Sequence, residues 1–237
     1  MPSNPYFKFK QFTIFQDRCA MKVGVDGVLL GAWTDIRNAK TILDIGTGTG
    51  LIALMLAQRS TAQIDAVEID KNACIQAQEN VIRSPWKDRI RVHQASVQDY
   101  TKYCLRRYDL IISNPPFFEN ASKASKLERT VARHTDLLSQ VDLLDISQQI
   151  LTSQGRLVVI YPTEVANIFQ QKAENFDLFC SKKLFVKPTP TSSVKRIILE
   201  FSQTQKLLSE QTLVIEEQRH IYTANFIHLV KDFYLKY

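Results

Sequence analysis

Short apolar runs alternate along this chain with segments whose apolar residues recur every three or four positions. The runs are rich in Ile, Val and Leu, as is typical of buried parallel strands, and they lie at 41–45, 63–68, 89–93, 108–113 and 155–161. Helical periodicity occupies 51–59, 71–82, 138–151 and 163–174. Strands that alternate with helices predict an α/β fold with a mostly parallel sheet covered on both faces.

The last third of the chain has a different pattern. Two further strands are predicted at 178–186 and 194–201, and the segment 187–191 between them carries two prolines and indicates a loop. Because no helical pattern separates these strands, we expect an antiparallel hairpin, followed by a short strand at 212–215 and a helix at 223–235. No linker divides the chain. We therefore predict one domain, with an N-terminal extension over 1–40, a core over 41–205 and a strand–helix extension over 206–237.

Composition and charge narrow the class of protein. The 237 residues are 45% hydrophobic, which suits one α/β domain with a full core. A net charge of +6 fits an anionic partner such as nucleic acid, although solubility alone would explain it. There is neither an apolar run of signal-peptide length nor one of the ~18 residues of a membrane span. We therefore expect a cytoplasmic protein that does not enter membranes.

The four cysteines give no sign of a metal site. Cys19, Cys74, Cys104 and Cys180 form no CxxC pair, and no histidine lies at ligand spacing from them. We expect reduced, mostly buried thiols and no bound metal.

A glycine-rich segment joins the first predicted core strand to its helix. In Asp44-Ile-Gly-Thr-Gly-Thr-Gly50 the alternate glycines allow the backbone to approach a ligand closely, and the helix N-terminus adds partial positive charge. Dinucleotide-binding folds use G-x-G-x-x-G, whereas the third glycine comes one residue earlier here. This spacing resembles the loop of S-adenosylmethionine enzymes, so we expect S-adenosyl-L-methionine as cofactor. The loop residues expected to bind it are Asp44, Gly46, Thr47, Gly48 and Gly50.

An acidic residue ends the second predicted core strand. Glu68 stands where a carboxylate can accept hydrogen bonds from both ribose hydroxyls of the cofactor. Asp70 is the competing acid, but it directly precedes a helical pattern, so we interpret it as a helix N-cap.

The motif Ser113-Asn-Pro-Pro-Phe-Phe118 ends the fourth predicted core strand. Ligands bind beyond the carboxyl ends of parallel strands, and two prolines make the segment stiff and remove two N–H donors. The Asn114 side-chain oxygen and the Pro115 carbonyl can accept the two hydrogens of an adenine amino group, and an aromatic ring can stack on the base. The alternative is a purely structural proline-rich turn. The predicted catalytic residues are Asn114, Pro115, Pro116 and Phe117.

These motifs together resemble the amino methyltransferases with an N-P-P-[FY] motif, which act on adenine, guanine or a protein glutamine. Five further segments narrow the resemblance to the bacterial tRNA(Val) adenine-N6 methyltransferases; they lie at 9–12, 16–33, 132–134, 222–223 and 231–236. The resemblance implies a Rossmann-like class I fold with a seven-stranded, mostly parallel sheet whose last two strands form an antiparallel hairpin. It also implies methylation of N6 of adenine 37, next to the anticodon of tRNA(Val).

The resemblance extends to further cofactor residues. It places 21–26 near the methionine end of the cofactor, where Lys22 can pair with the carboxylate, whereas Asp26 is either functional or the cap of a following helix. Many relatives have an acid after the third strand for the cofactor adenine. In this chain Ser96 occupies that position.

Cations near aromatic residues indicate where RNA is expected to bind. The long segment 117–135 follows the catalytic motif, and Lys8 and Lys10 alternate with Phe7 and Phe9. An ordinary solvated loop is the alternative. The predicted RNA-binding residues are Lys8, Lys10, Lys123, Lys126, Arg129, Arg133 and His134.

We expect a monomer that methylates tRNA, and three alternative functions are considered. A protein glutamine N5-methyltransferase acting on a release factor would meet an amide with the same two hydrogens. A non-catalytic RNA-binding module would not need the Asn-Pro-Pro-Phe segment. A DNA adenine methyltransferase would be expected to have a separate target-recognition domain, which we do not find in 237 residues.

Overall fold

A computed structural model describes residues 4–116 and 138–236. The strands are β1 (Tyr6–Lys8), β2 (Thr13–Phe15), β3 (Thr41–Ile45), β4 (Gln63–Glu68), β5 (Ile90–Gln94), β6 (Tyr108–Ser113), β7 (Leu151–Pro162), β8 (Phe179–Lys187), β9 (Arg196–Ser202), β10 (Ser209–Val214), β11 (Glu216–Gln218) and β12 (Ile221–Tyr222). The helices are α1 (Val25–Trp33), α2 (Leu51–Arg59), α3 (Lys71–Ile82), α4 (Val97–Tyr103), α5 (Gln140–Ile150), α6 (Thr163–Ala173) and α7 (Ala224–Val230).

One eight-stranded sheet organises the molecule, in the order β10-β8-β9-β7-β6-β3-β4-β5. Strands β3 to β7 pair in parallel with their neighbours, and β9 runs antiparallel to both β7 and β8. The predicted fold class and the late hairpin are confirmed. The sheet has one strand more than the seven expected, because β10 pairs in parallel with β8. This outer strand buries only Leu213, so its weak apolar pattern predicted only its last residues.

The helix boundaries follow from local signals. Helices α2 and α3 have the predicted bounds. Helix α5 begins two residues later than predicted, because Ser139 and Asp142 form a capping box at its start. Strand β7 begins four residues earlier than predicted and is irregular where it pairs with Tyr108. A Cβ at Gly155 would lie 2.7 Å from the Tyr108 carbonyl oxygen, so only glycine fits this approach.

The hydrophobic core lies on both faces of the sheet. On one face the N-terminal segment, α1, α2 and α7 pack together through buried residues that include Phe9, Ile14 and Phe233. On the other face α5 and α6 contribute Leu144 and Phe169. The first 40 residues therefore share a core with the end of the chain. The predicted division into an N-terminal extension, a core and a C-terminal extension at residues 40 and 205 stays a prediction. Within the described ranges no helix is long and apolar enough to cross a membrane.

Candidate active site

The glycine loop turns over the carboxyl end of β3. Gly46, Gly48 and Gly50 have φ values of 70°, 57° and 82°, a left-handed conformation that side chains with a Cβ rarely adopt. The backbone N–H groups of Gly46 and Thr47 donate to the Val67 carbonyl at 2.9 and 3.1 Å. The loop is thereby fixed against β4, with Gly46 exposed and Gly48 half-buried.

Asp44 lies beneath this loop and is fully buried. Its Oδ2 accepts hydrogen bonds from the Thr47 hydroxyl at 2.6 Å and from the Ala53 N–H at 3.2 Å. Burial raises the pKa of Asp44 to about 7, and its Oδ1 has no hydrogen-bond partner among the described residues. Asp44 therefore holds the loop and the first turn of α2, and its predicted part in cofactor binding stays a prediction.

Gly50, another predicted cofactor residue, lies against α3. A Cβ on Gly50 would meet Ala77 of α3 at 3.5 Å, so this glycine serves the start of α2 and its packing on α3. Gly46, Thr47 and Gly48 line a cavity, as expected of cofactor-binding residues.

Glu68 is the buried last residue of β4. Its Oε2 accepts from the Gly48 N–H at 2.8 Å, and its Oε1 accepts from the Asp70 N–H at 2.9 Å. Burial raises the pKa of this carboxyl above its ordinary value. Each oxygen can accept a further hydrogen bond, as two ribose hydroxyls would require. Asp70 accepts from the Ala73 N–H at 2.8 Å, which confirms its prediction as the cap of α3.

A small cavity of about 60 Å³ opens beside Glu68. Its walls are mainly apolar side chains from Ile45, Val67, Ile69, Val97 and Leu138. Ser96 lines the cavity and caps α4, accepting from the Asp99 N–H at 3.0 Å and donating to the Asp99 carboxylate at 2.8 Å. Apolar walls next to the predicted ribose site suit a flat heterocycle such as adenine.

A larger cleft of about 400 Å³ lies on the other side of Gly46. It is lined by the segment 21–27, the glycine loop, Leu51, Ile52, the segment 114–116 and Arg196. The Ser113 hydroxyl donates to the Ile45 carbonyl at 2.8 Å and so ties the end of β6 to the end of β3. This contact brings Asn114, which is half-buried, beside the glycine loop, with Pro115 buried and Pro116 exposed. Phe117 lies outside the described residues.

The N-terminal segment builds one wall of the cleft. The Lys22 ammonium donates to the carbonyls of Gln16 and Cys19, the latter at 3.0 Å. The buried Gln16 side chain accepts from the Val23 N–H at 2.8 Å and donates to the Asn4 carbonyl at 2.9 Å. Lys22 therefore lines the cleft while bracing its wall. The sequence offered no signal for Gln16, because it is a polar residue in an aperiodic segment.

Two residues distant in sequence meet at the mouth of the cleft. Asp26 lies in the first turn of α1, whose N-cap is Gly24, so Asp26 is not the cap. Its Oδ2 accepts from Arg196 Nε at 2.7 Å. Sequence reasoning missed Arg196, because 170 positions separate the partners and only the β7–β9 pairing brings them together.

The predicted RNA-binding residues are only partly described. Lys8 is exposed on β1, and the Lys10 ammonium donates to the Lys231 carbonyl at 2.7 Å. The neighbouring Asp232 carbonyl accepts from Gln58, near the end of α2. Since α2 leads away from the glycine loop for about 13 Å, Lys10 lies far from the cleft. Lys123, Lys126, Arg129, Arg133 and His134 lie outside the described residues.

Within the described part of the chain, no group of three His, Cys, Asp or Glu residues could hold a metal ion. The four cysteines are unpaired, and Cys19 and Cys74 are buried.

The class of protein follows from the fold and the cleft. A left-handed glycine loop, an acid at the end of the next strand and an Asn-Pro-Pro segment meet at the carboxyl edge of a Rossmann-like sheet. These features define a class I methyltransferase that uses S-adenosyl-L-methionine. A family model described as the methyltransferase small domain matches residues 27–186, and the chain belongs to this family.

Curated relatives match the chain along nearly its whole length. A protein of Trichodesmium erythraeum is 62% identical over 234 residues, 98% of each chain, and is named tRNA1(Val) (adenine(37)-N6)-methyltransferase. A protein of Parabacteroides distasonis with the same name is 47% identical over 235 residues, 99% of each chain. The family expected from the sequence motifs is thereby confirmed.

Solved structures support the fold independently. A predicted O-methyltransferase from Agrobacterium tumefaciens superposes with a TM-score of 0.68 at 18% identity, covering 88% of this chain and 96% of its own. A ribosomal protein L11 methylase from Lactobacillus delbrueckii has a TM-score of 0.58 at 15% identity, covering 81% and 84%. At such identities the likeness concerns the fold alone.

Proposed function

We propose that this protein transfers a methyl group from S-adenosyl-L-methionine to N6 of an adenine in tRNA, namely adenine 37 next to the anticodon of tRNA1(Val). The observation that carries the chemistry is the shared cleft of Asn114, Pro115 and the glycine loop. The choice of tRNA is supported by the names of full-length relatives at 62% and 47% identity.

The residues present fit S-adenosyl-L-methionine. Glu68 keeps acceptor capacity for ribose hydroxyls, and the apolar cavity beside Ser96 suits the adenine ring. Gly46 and Gly48 allow close approach of the amino acid portion, next to the wall that Lys22 braces. When bound, the cofactor supplies a methyl group on a positively charged sulfur that leaves as a neutral thioether.

Asn114 and Pro115 activate the adenine amino group. The N6 lone pair is conjugated into the purine ring, so the free amine is a poor nucleophile. Hydrogen bonds from its two hydrogens to Asn114 Oδ1 and to the Pro115 carbonyl favour a pyramidal nitrogen with an available lone pair. N6 forms the new C–N bond as the S–C bond breaks, and it then releases one proton to water. The chain contributes mainly orientation and local electrostatics, with Phe117 proposed to stack on the base.

Methylation of defined transcripts tests the proposal. We expect the protein with S-adenosyl-L-methionine to produce N6-methyladenosine in unmodified tRNA1(Val), and none in a transcript with guanine at position 37, as read by nucleoside mass spectrometry. Methyl transfer only to a release factor glutamine, or to DNA, would refute the assignment. N6-methyladenosine at another position, or only in another tRNA, would leave the chemistry intact and correct the target.

The proposal includes the setting in which the protein acts. We place it in the cytoplasm as a monomer, with the segment 117–135 and its cations Lys123, Lys126, Arg129, Arg133 and His134 in contact with the tRNA. Light scattering is expected to give the mass of one 27.2 kDa chain. A stable dimer mass would correct the monomer proposal, and unchanged tRNA affinity after replacement of the five cations would correct the RNA contact.

A further inference from the structure

We infer that Arg196, the first residue of β9, and Lys195 directly before it bind phosphate groups of the RNA strand that enters the cleft. The inference rests on the proposed function and adds to it an RNA contact outside the segments that the sequence indicated.

The direction of β9 in the sheet places Arg196 at the cleft. Because β9 runs antiparallel to β7, its first residue lies at the sheet edge where β7 ends, and Arg196 pairs with Pro162. The carboxyl ends of β3 and β6, which hold the glycine loop and Asn114, lie at the same edge. Arg196 lines the same cleft as Asn114.

The Arg196 guanidinium is held in a defined orientation. Its Nε donates to Asp26 at 2.7 Å, and its Nη1 donates to the Lys195 carbonyl at 3.0 Å. The Arg196 and Asp26 side chains are 30% and 29% exposed, so the pair stands at the cleft mouth rather than in the core. Asp26 offsets part of the positive charge of Arg196 and fixes the plane of its guanidinium group. A fixed guanidinium loses little freedom when it binds a phosphate oxygen.

Lys195 adds a second cation beside the Arg196 guanidinium. Its backbone N–H donates to the Val186 carbonyl at 2.9 Å, and the preceding Val194 carbonyl accepts from Thr163 at 2.9 Å. The backbone is therefore ordered, whereas the exposed Lys195 ammonium makes no hydrogen bond or ion pair with the described residues. An unpaired ammonium next to a positioned guanidinium raises the local positive potential.

The chemistry of the substrate explains why cations belong here. An adenine reaches Asn114 only when it is turned out of its stack, and its own phosphates then follow the strand past the mouth of the cleft. Backbone contacts position the RNA without reading its sequence. Arg196 and Lys195 are therefore positioning residues for the target nucleotide.

The salt dependence of tRNA binding tests the inference. Dissociation constants of a tRNA1(Val) transcript are measured by fluorescence anisotropy between 50 and 200 mM KCl for the wild-type protein, Arg196→Met and Lys195→Met. Each substitution is expected to reduce the slope of log K against log salt by roughly 0.7 to 0.9, and Arg196→Met to weaken binding about tenfold at low salt. Lys206→Met, an exposed change at the opposite sheet edge, is the matched control and is expected to leave the slope unchanged.

The outcomes separate the inference from the proposed function. Wild-type protein that neither binds nor methylates tRNA rejects the proposed function itself. If the wild-type protein binds and methylates tRNA but the salt dependence is unchanged in both variants, the phosphate contacts are rejected. The Asp26–Arg196 pair is then a structural contact between α1 and β9. If Arg196→Met does not fold, Lys195→Met decides, because its side chain bonds nothing in the described structure.

Discussion

The backbone N–H of Gly48 donates a 2.8 Å hydrogen bond to the carboxylate of Glu68, so the acid that ends β4 also holds the loop that follows β3. With the bond from Asp70 N–H at 2.9 Å, each carboxylate oxygen has one fixed donor and a defined direction for a second. The loop and the proposed ribose site are therefore one structural unit.

Glu68→Gln is expected to weaken binding of S-adenosyl-L-methionine about tenfold or more. The amide retains one acceptor oxygen, whereas its NH2 group must face either the Gly48 or the Asp70 N–H, and hydrogen bonds to a charged group contribute roughly 1.5–3 kcal/mol. Isothermal titration calorimetry with the cofactor measures the change. Glu164→Gln, an exposed glutamate in the first turn of α6, is the control and is expected to bind normally. Equal affinities in the two variants would contradict the ribose assignment.

Asn114→Ala is expected to lower kcat by about 100-fold or more, because the preorganised acceptor for the amine is removed. Affinity for tRNA and cofactor should change less than about threefold, since the cleft walls are retained. Single-turnover kinetics and separate binding measurements distinguish these effects. The exposed Asn175→Ala provides a matched asparagine control. Substantial turnover by Asn114→Ala would remove the acceptor from the mechanism.

Asp44 is expected to make stability depend on pH. Burial raises its pKa from 3.8 to about 7, so the folded protein holds a proton that the unfolded chain has already lost. The contribution of Asp44 to the free energy of unfolding is therefore fully present below about pH 4. This contribution falls as the pH rises towards 7, by at most about 1.4 kcal/mol per pH unit. In Asp44→Asn the pH dependence of the free energy of unfolding that Asp44 causes should disappear.

Urea unfolding at several pH values between 4 and 8 checks this linkage. The exposed Asp88→Asn serves as control and should follow the wild-type profile. Parallel profiles for wild type and Asp44→Asn would show that Asp44 titrates in the same way in the folded and unfolded chains.

Gly155→Ala is expected to destabilise the protein by about 1–3 kcal/mol, because the added Cβ would lie 2.7 Å from the Tyr108 carbonyl oxygen and 2.8 Å from a Leu151 methyl carbon. Gly24→Ala is the matched change, since the nearest atom to its Cβ is 3.9 Å away. Its cost as a cap substitution should stay below about 1 kcal/mol. Chemical denaturation compares the two, and equal losses would show that β7 shifts to accept the methyl group.

Local patterns sufficed for much of the fold. Helices α2 and α3 have the predicted bounds because a glycine and a capping aspartate precede them. The meeting of Asn114 with the glycine loop was predictable as well, since parallel strands bring their carboxyl ends to one edge.

Tertiary contacts explain what the sequence did not reveal. Strand β10 joins the sheet through backbone pairing with β8, and most of its side chains are exposed, so alternation gave little signal. The Asp26–Arg196 pair depends on the sheet order, which no local pattern encodes. Lys10 lies near Phe7 and Phe9 as expected, and both of these rings pack against Tyr234. RNA binding by Lys8 and Lys10 stays a prediction, because ring packing alone does not distinguish a core contact from an RNA surface.

The bond from the Ser113 hydroxyl to the Ile45 carbonyl fixes a spacing within the cleft. The glycine loop starts at the residue after Ile45 and the acceptor segment starts at the residue after Ser113, on strands roughly 4.8 Å apart. The spacing between the glycine loop and the acceptor segment is thus set during folding, by the pairing of two neighbouring strands. A substitution that disturbs either strand end is therefore expected to move both sides of the cleft.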